Sequence, residues 1–382
     1  MSPHLSAGFV APAYQDRSLG DVMPAVAAAL GIDVGLPGTS LRFPPAQRYV
    51  VFLIDGLGLE LLREHPAHAP YLHSLMVESP LADGSPATAG VPSTTATSLT
   101  SFGTALPPGT HGLVGYTSRI PGTDRLLNAL QWDERVDARE WQPHPTTFAR
   151  LAAADVQVTV VNKRSFAASG LTVAGQRGAE YVAADKPGEQ LAAVLAACRA
   201  APSVTYMYDG DLDWTGHRYG VASSQWEQQL SMIDAGVERL RETLPADIRV
   251  VVVADHGMVD CPASQRVDVD DHPDLLSGVA LMGGEARFRH VYCHAGAVAD
   301  VAAAWQELVG DRAEVLLRDD ALSRGWFGPT TPVVLPRLGD VMVASKDRFA
   351  VVSSSGFPHE AKLVGLHGSL TSAEMLIPVL VA

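Results

Sequence analysis

The sequence predicts an α/β sandwich, a mostly parallel central sheet flanked by helices, with a small inserted α+β cap. Three observations carry this expectation. Short apolar runs rich in β-branched residues recur along the chain, helical spacing fills the intervals between them, and one stretch toward the C-terminus breaks the rhythm.

In chain order, the apolar runs are 49–54, 156–161, 204–208 and 250–254, each bounded by Gly, Asp or Asn as buried parallel strands tend to be. Residues 56–65 follow the first run and space Leu57, Leu61 and Leu62 for one helix face; 98–105, 191–200 and 225–242 also read as helices. From 262 to 346 the pattern changes to a short strand at 290–292, a helix at 297–309, a strand at 313–317 and a Pro/Gly-rich loop at 325–336. A closing strand is expected at 375–381. The expected organisation is an N-terminal extension packed on the core (1–45), a core built from 46–261 and 347–382, and the inserted cap lobe (262–346).

A formal net charge of −14 argues against binding a nucleic-acid polymer or an anionic membrane, since both are held mainly by Lys and Arg. The three cysteines, Cys198, Cys261 and Cys293, have no C-x-x-C spacing and read as free thiols. Residues 1–15 lack a basic segment followed by an apolar run, and no stretch reaches the roughly 18 apolar residues of a membrane span. A cytoplasmic protein, monomer or homodimer, is the expectation.

The chemistry lies where elements begin or end. Asp55 follows the first strand and precedes Gly56-Leu57-Gly58, and ligands of open α/β sheets sit beyond such carboxyl ends. Asp255-His256-Gly257 closes the 250–254 run in the same way. Asp213 and His217 lie four apart, so a helical turn puts both on one side, and His367 sits between glycines in 365–368. The hydroxyls of Ser93-Thr94-Thr95 precede a helix whose N-terminal dipole would favour an alkoxide and the phosphoryl oxygens it attacks.

Taken singly, each residue has a plainer reading: a helix cap for Asp55 and the threonines, a surface loop for His367, and turn or capping roles for Asp209 and Asp211. The set is what points to metal. Asp213, His217 and His367 supply one zinc with three ligands, and Asp55, Asp255, His256 and a threonine oxygen supply a second with four. Three carboxylates and one alkoxide would balance two Zn²⁺, a near-neutral site suited to a singly charged phosphodiester. A dianionic monoester would call for an added Lys or Arg.

On the apolar-Asp-Gly start, the Pro92-Ser93-Thr94-Thr95 to Pro107-Pro108-Gly109-Thr110-His111-Gly112 block, Asp213-x-x-x-His217, Ala254-Asp255-His256-Gly257-Met258 and Gly365-Leu366-His367-Gly368, the chain resembles the alkaline phosphatase superfamily. Within it the resemblance is nearest to the bacterial type I phosphodiesterase/nucleotide pyrophosphatase branch, and it runs from Val51 to the C-terminus. It implies an alkaline-phosphatase-like sandwich, two Zn²⁺ held by the residues just named, and Thr95 as both nucleophile and metal ligand, with Thr94 as the alternative. It also implies attack by Thr95 on phosphorus, a phosphothreonine, and hydrolysis of that intermediate. His111 is implied as structural.

The sequence departs from the family pattern at two places. Tyr116 stands where phosphodiesterase relatives carry an Asn that holds a phosphoryl oxygen, and its phenol would donate instead. Asn162-Lys163-Arg164 stands where monoesterase relatives present Lys-x-Arg, so Arg164 would meet the outer phosphate oxygens and Asn162 would hydrogen-bond. Residues 117–132, with Asn128 and Trp132, and 283–290, with Arg287 and Arg289, are candidates for gripping the leaving group, but a packing role is the commoner one and no catalytic role is assigned to them.

The expected partner is therefore a small phosphate ester, among them a nucleotide. The alternatives are a phosphomonoesterase relying on Arg164, a phosphonate hydrolase or mutase, and a non-catalytic nucleotide-binding protein. No cysteine lies in the Cys-x-Pro-x-Arg stretch of a sulfatase. Iron, manganese or cobalt suit the same donors as zinc.

Overall fold

A computed structural model describes residues 8–78 and 86–382; residues 1–7 of the expected N-terminal extension lie outside the described ones. The central sheet contains β1 (Arg48–Ile54), β2 (Gln157–Asn162), β3 (Glu180–Ala183), β4 (Ser203–Asp209), β5 (Arg249–Val253) and, after the lobe, β10 (Val379–Val381). Its order is β10-β5-β1-β4-β2-β3. All neighbours run parallel except β10, which is antiparallel to β5. Every residue of β1 from Tyr49 to Ile54 is buried, the outcome of covering a β-branched, two-faced strand on both sides.

β1 lies between β4 and β5, with Ile54 opposite Asp209 and Leu53 opposite Val253. Three carboxyl ends therefore open side by side, and the sheet brings Asp55, the 209–217 segment and Asp255 together.

The expected elements differ mainly at their ends. The helix after β1 is α1 (Leu59–Glu64), not 56–65, because Gly56 turns the chain at φ +74° and Gly58 packs where a Cβ would lie 2.7 Å from the Gly257 backbone. Pro187, at the first helical position, opens a helix over Pro187–Ala197, earlier than 191. The helix expected at 98–105 is α2 (Thr95–Thr104), which takes Thr95 into its first turn. Asp211–Tyr219 forms α3 and Ser224–Thr243 forms α4, the latter capped by the Ser223 hydroxyl. The closing strand is shorter than expected. Leu376–Ile377 pairs with Ala87–Thr88, and Pro378 then separates it from β10.

The lobe holds a second sheet made of β6 (Val279–Glu285), β7 (Phe288–Cys293), β8 (Ala313–Leu317) and β9 (Val341–Ser345). It is antiparallel throughout, in the order β6-β7-β9-β8. Strand alternation splits its residues between two interiors. Met342 and Ala344 join Phe288 in the main core, while Val341 and Val343 join Val291, Trp305 and Val309 under α5 (Val298–Val309). Phe349 and Val351 also belong to this second core, and Ala350–Val352 pairs with Arg266–Asp268, so the lobe's packing continues past residue 346. From the N-terminal segment, Phe9, Leu19, Val22 and Met23 enter the main core.

Two buried ion pairs pin the lobe to the C-terminal segment. Arg287 donates from Nε to Glu374 Oε1 at 2.7 Å and from Nη2 to Oε2 at 2.8 Å, with neither side chain exposed. Arg289 pairs likewise with Glu360. Of the two readings open for Arg287 and Arg289, the structure shows packing: both guanidiniums are spent on buried carboxylates, out of a ligand's reach. Arg287→Ala is expected to cost about 3–5 kcal/mol by leaving Glu374 buried and unpaired, whereas a double replacement by apolar residues costs much less; urea denaturation distinguishes them.

Among the described residues no helix is long and apolar enough to cross a membrane.

Candidate metal centre

Two acid–imidazole groups form at the carboxyl ends of the sheet: Asp55, Asp255 and His256, and Asp213, His217 and His367. The ligating atoms of each group lie within 4.8 Å of one another. In the first, His256 Nε2 is 3.4 Å from Asp55 Oδ1 and 3.5 Å from Asp255 Oδ2, and Thr95 Oγ1 stands 3.2 Å from the same nitrogen and 3.4 Å from Asp55 Oδ2. In the second, Asp213 Oδ2 is 3.3 Å from His217 Nε2, and its Oδ1 is 3.7 Å from His367 Nε2. The His256 and His367 rings stack at 3.7 Å, so the groups adjoin.

Each imidazole is set by the hydrogen bond on its other nitrogen. Nδ1 of His217, His256 and His367 faces the carbonyl oxygen of Gly365 (2.7 Å), Gly257 (3.0 Å) and Ser93 (2.9 Å) respectively. A carbonyl only accepts, so Nδ1 carries the proton and the Nε2 lone pair faces the carboxylates. Burial lowers the pKa of His256 and, joined by the His256 and His217 charges, holds His367 well below its ordinary value. Burial thus disfavours the charged forms of His256 and His367.

Burial first, then the Asp255 and Asp213 charges, raises the Asp55 pKa well above the carboxylate range, and burial raises Asp213 and Asp255. Asp55 Oδ1, Asp213 Oδ1 and Asp255 Oδ2 are buried with no hydrogen-bond partner. Their other contacts hold them in place: Tyr208 donates to Asp55, and Gly56 N and His256 N donate to Asp255 Oδ1 at 3.1 and 3.0 Å. Unpartnered carboxylate oxygens facing imidazole lone pairs, with a glycine at 56 where a Cβ would lie 3.1 Å from Asp213, fit divalent cations.

Thr95 is the first residue of α2, all of which is buried, and the preceding Thr94 makes no side-chain cap. The first-turn N–H groups thus need an acceptor from elsewhere. His111 is buried, hydrogen-bonded to Ser101 Oγ and accepting from Leu113 N, a structural position.

A cavity of about 460 Å³ is lined by Asp55 of the first group and by Asp213, His217 and His367 of the second. Thr94, Thr95, Tyr116 and Asn162 line it. Arg164 does not: it is an exposed side chain whose Nε sits 3.5 Å from Asp185, and Lys163 bonds Asp211 at 2.5 Å. In this arrangement Arg164, expected at the phosphate, stands outside the cavity lining, and the short helical turn Arg164–Phe166 brings Phe166 to the lining. Asn128 caps its own turn through Leu130 N and Gln131 N, and Trp132 packs against Gly170.

Sequence reasoning missed Tyr208 and Glu285. Tyr208 sits beside Leu53 in the β1–β4 register, a signal visible only once strand order is known. Glu285 lines the cavity, accepts from Tyr116 N at 2.8 Å, and is pushed up to about 8 by burial. Nothing in the run Gly283-Gly284-Glu285 marks it.

No curated protein matches the sequence. Among solved structures, murine ectonucleotide pyrophosphatase/phosphodiesterase 5, an inactive variant in complex with AMP, superposes with a TM-score of 0.68 at 16% identity, over 88% of this chain and 87% of that one. Phosphonoacetate hydrolase from Sinorhizobium meliloti 1021, in complex with phosphonoformate, gives 0.61 at 18% identity over 89% and 91%. Both share the fold. The family model of type I phosphodiesterase/nucleotide pyrophosphatase matches residues 49–370, a span that takes in both acid–imidazole groups and Thr95. The chain belongs to the type I phosphodiesterase/nucleotide pyrophosphatase family of phosphoester hydrolases, within the alkaline phosphatase superfamily.

Proposed function

We propose that the protein is a zinc-dependent phosphodiesterase whose nucleophile is Thr95. The observation that carries this reading is the Thr95 hydroxyl, at the start of a buried helix and within 3.2–3.4 Å of two side chains of the acid–imidazole group it faces. Asp55, Asp255, His256 and Thr95 would hold one ion, and Asp213, His217 and His367 the other. When bound, such ions supply positive charge beside the attacking and leaving oxygens and lower the pKa of the threonine hydroxyl.

The rest is done by the chain. Thr95 Oγ bonds to phosphorus as the bond to the leaving ester oxygen breaks, and that arm departs as an alcohol once protonated. Water then breaks the bond between phosphorus and Thr95 Oγ, releasing the monoester and restoring the hydroxyl. The first-turn N–H groups of α2 are aligned with the helix dipole to receive a phosphoryl oxygen. Tyr116 and Asn162 offer neutral hydrogen bonds along the wall.

Preference for diesters over monoesters is supported by the position of Arg164, turned away to Asp185. Zinc-loaded protein is expected to favour bis-p-nitrophenyl phosphate over p-nitrophenyl phosphate, and Arg164→Ala to leave that ratio unchanged. A monoester preference that collapses in Arg164→Ala would replace this reading with a phosphatase.

A further inference from the structure

The cavity over the metal centre carries a charge pattern that separates two substrate classes of the same family. Among the described residues that line it there is no lysine or arginine. Of the basic residues on adjoining segments, Lys163 is held by Asp211, Arg164 by Asp185 and Arg289 by Glu360, while Arg218 lies over the Trp214 ring and Lys362 is exposed beside Leu363. Beyond the metal ligands the lining holds one imidazole, His359, and two acids, Glu285 and the Arg289-paired Glu360. Glu285 is only 6% exposed and its Oε1 has no partner.

The mouth is apolar. Leu130, Phe166 and Trp214 line it and are 49%, 38% and 56% exposed, a clustering of large hydrophobic side chains at one opening that solvent alone does not favour. Phe166 meets Tyr208 edge-on at a centroid distance of 6.3 Å, so an aromatic wall runs from the rim down to Asp55.

A phosphoryl group bound in such a cavity would have its charge met by metal and by the first-turn N–H groups of α2. A second phosphate attached to the first would lie among apolar and acidic side chains, with no lysine or arginine lining the cavity to receive it, a juxtaposition that selects against it. We infer that the substrate is a phosphodiester with an apolar or aromatic ester arm and no second phosphate, so that among the family's activities this chain cleaves phosphodiesters and not pyrophosphates. The inference rests on the phosphodiesterase reading given above.

The test compares two probes sharing one nucleoside: thymidine 5′-(p-nitrophenyl phosphate) and thymidine diphosphate glucose. Zinc-loaded Thr95→Ala protein is titrated with each by calorimetry, and the parent protein is assayed on both. The diester is expected to bind at least about tenfold more tightly and to be cleaved with the higher kcat/KM. Gln131→Arg, at an exposed rim position, supplies the missing cation and is expected to narrow the binding gap by about threefold or more. Phe166→Ala should weaken the diester selectively. Equal or tighter binding of the diphosphate sugar, with cleavage to match, would overturn the inference and leave the metal-assisted mechanism standing. Cleavage of neither probe by zinc-loaded parent protein would instead remove the phosphodiesterase reading, and the substrate class with it.

Discussion

Replacing Thr95 by alanine is expected to leave a folded, metal-binding protein that cleaves bis-p-nitrophenyl phosphate roughly 10⁴-fold more slowly than its parent. The substitution removes the oxygen nearest His256 Nε2 and keeps a good helix former at the first position of α2. Thr94→Ala provides the contrast. That neighbour lies on the same cavity wall but precedes the helix, with extended backbone and no side-chain cap, so its loss should change the rate far less. Rapid quenching and mass spectrometry of the parent should find the phosphoryl group on Thr95; its appearance on Thr94, or equal rates for parent and Thr95→Ala, would reassign the nucleophile.

Chelation should abolish turnover and also reverse how stability responds to pH. In the metal-free protein Asp55, Asp213 and Asp255 have pKa values raised above their unfolded value of about 4, and Glu285 is raised to about 8. Between the unfolded and folded values the native state holds more protons than the unfolded chain, so stability falls as pH rises. His256 and His367 act oppositely, since their depressed values add stability up to about pH 6.5 and nothing beyond. From pH 6.5 to 8 only the raised acids contribute, and the metal-free protein should lose stability across that interval. Zinc would neutralise Asp55, Asp213 and Asp255, leaving Glu285 as it is, and binding that competes with protons strengthens with pH. Melting curves with and without zinc should therefore diverge upward from pH 6.5, by about 4 kcal/mol where free zinc exceeds its Kd a thousandfold. Parallel curves would mean that the acid–imidazole groups do not bind metal.

Strand positions are legible in this sequence because buried parallel strands must be apolar on both faces, and 49–54 or 250–254 have no other reading at that length. The metal-binding side chains are legible for a related reason, since polar residues stand where apolar runs stop. Helix starts are less so. Gly58 is given up to backbone approach by Gly257 and Gly56 lies against Asp213, contacts between segments far apart in the chain that no local window contains. Arg164 illustrates the same limit. Its spacing matches a phosphate-binding pattern, yet a short turn and the carboxylate of Asp185 decide its direction. Arg287 and Arg289 read as ligand-binding cations until their partners, Glu374 and Glu360, arrive from 71 to 87 positions away.

The shared sheet of the lobe bears on how such a protein diversifies. Met342 and Ala344 face one interior while Val341 and Val343 face another, and β7 divides in the same manner. A segment stitched into two interiors cannot be exchanged between homologues as a cassette without mending both seams at once. Inherited changes of appetite have an easier route through Leu130, Gln131 and Phe166, half-open side chains outside the strands of either sheet, where a single codon can alter what enters and nothing beneath must be rebuilt.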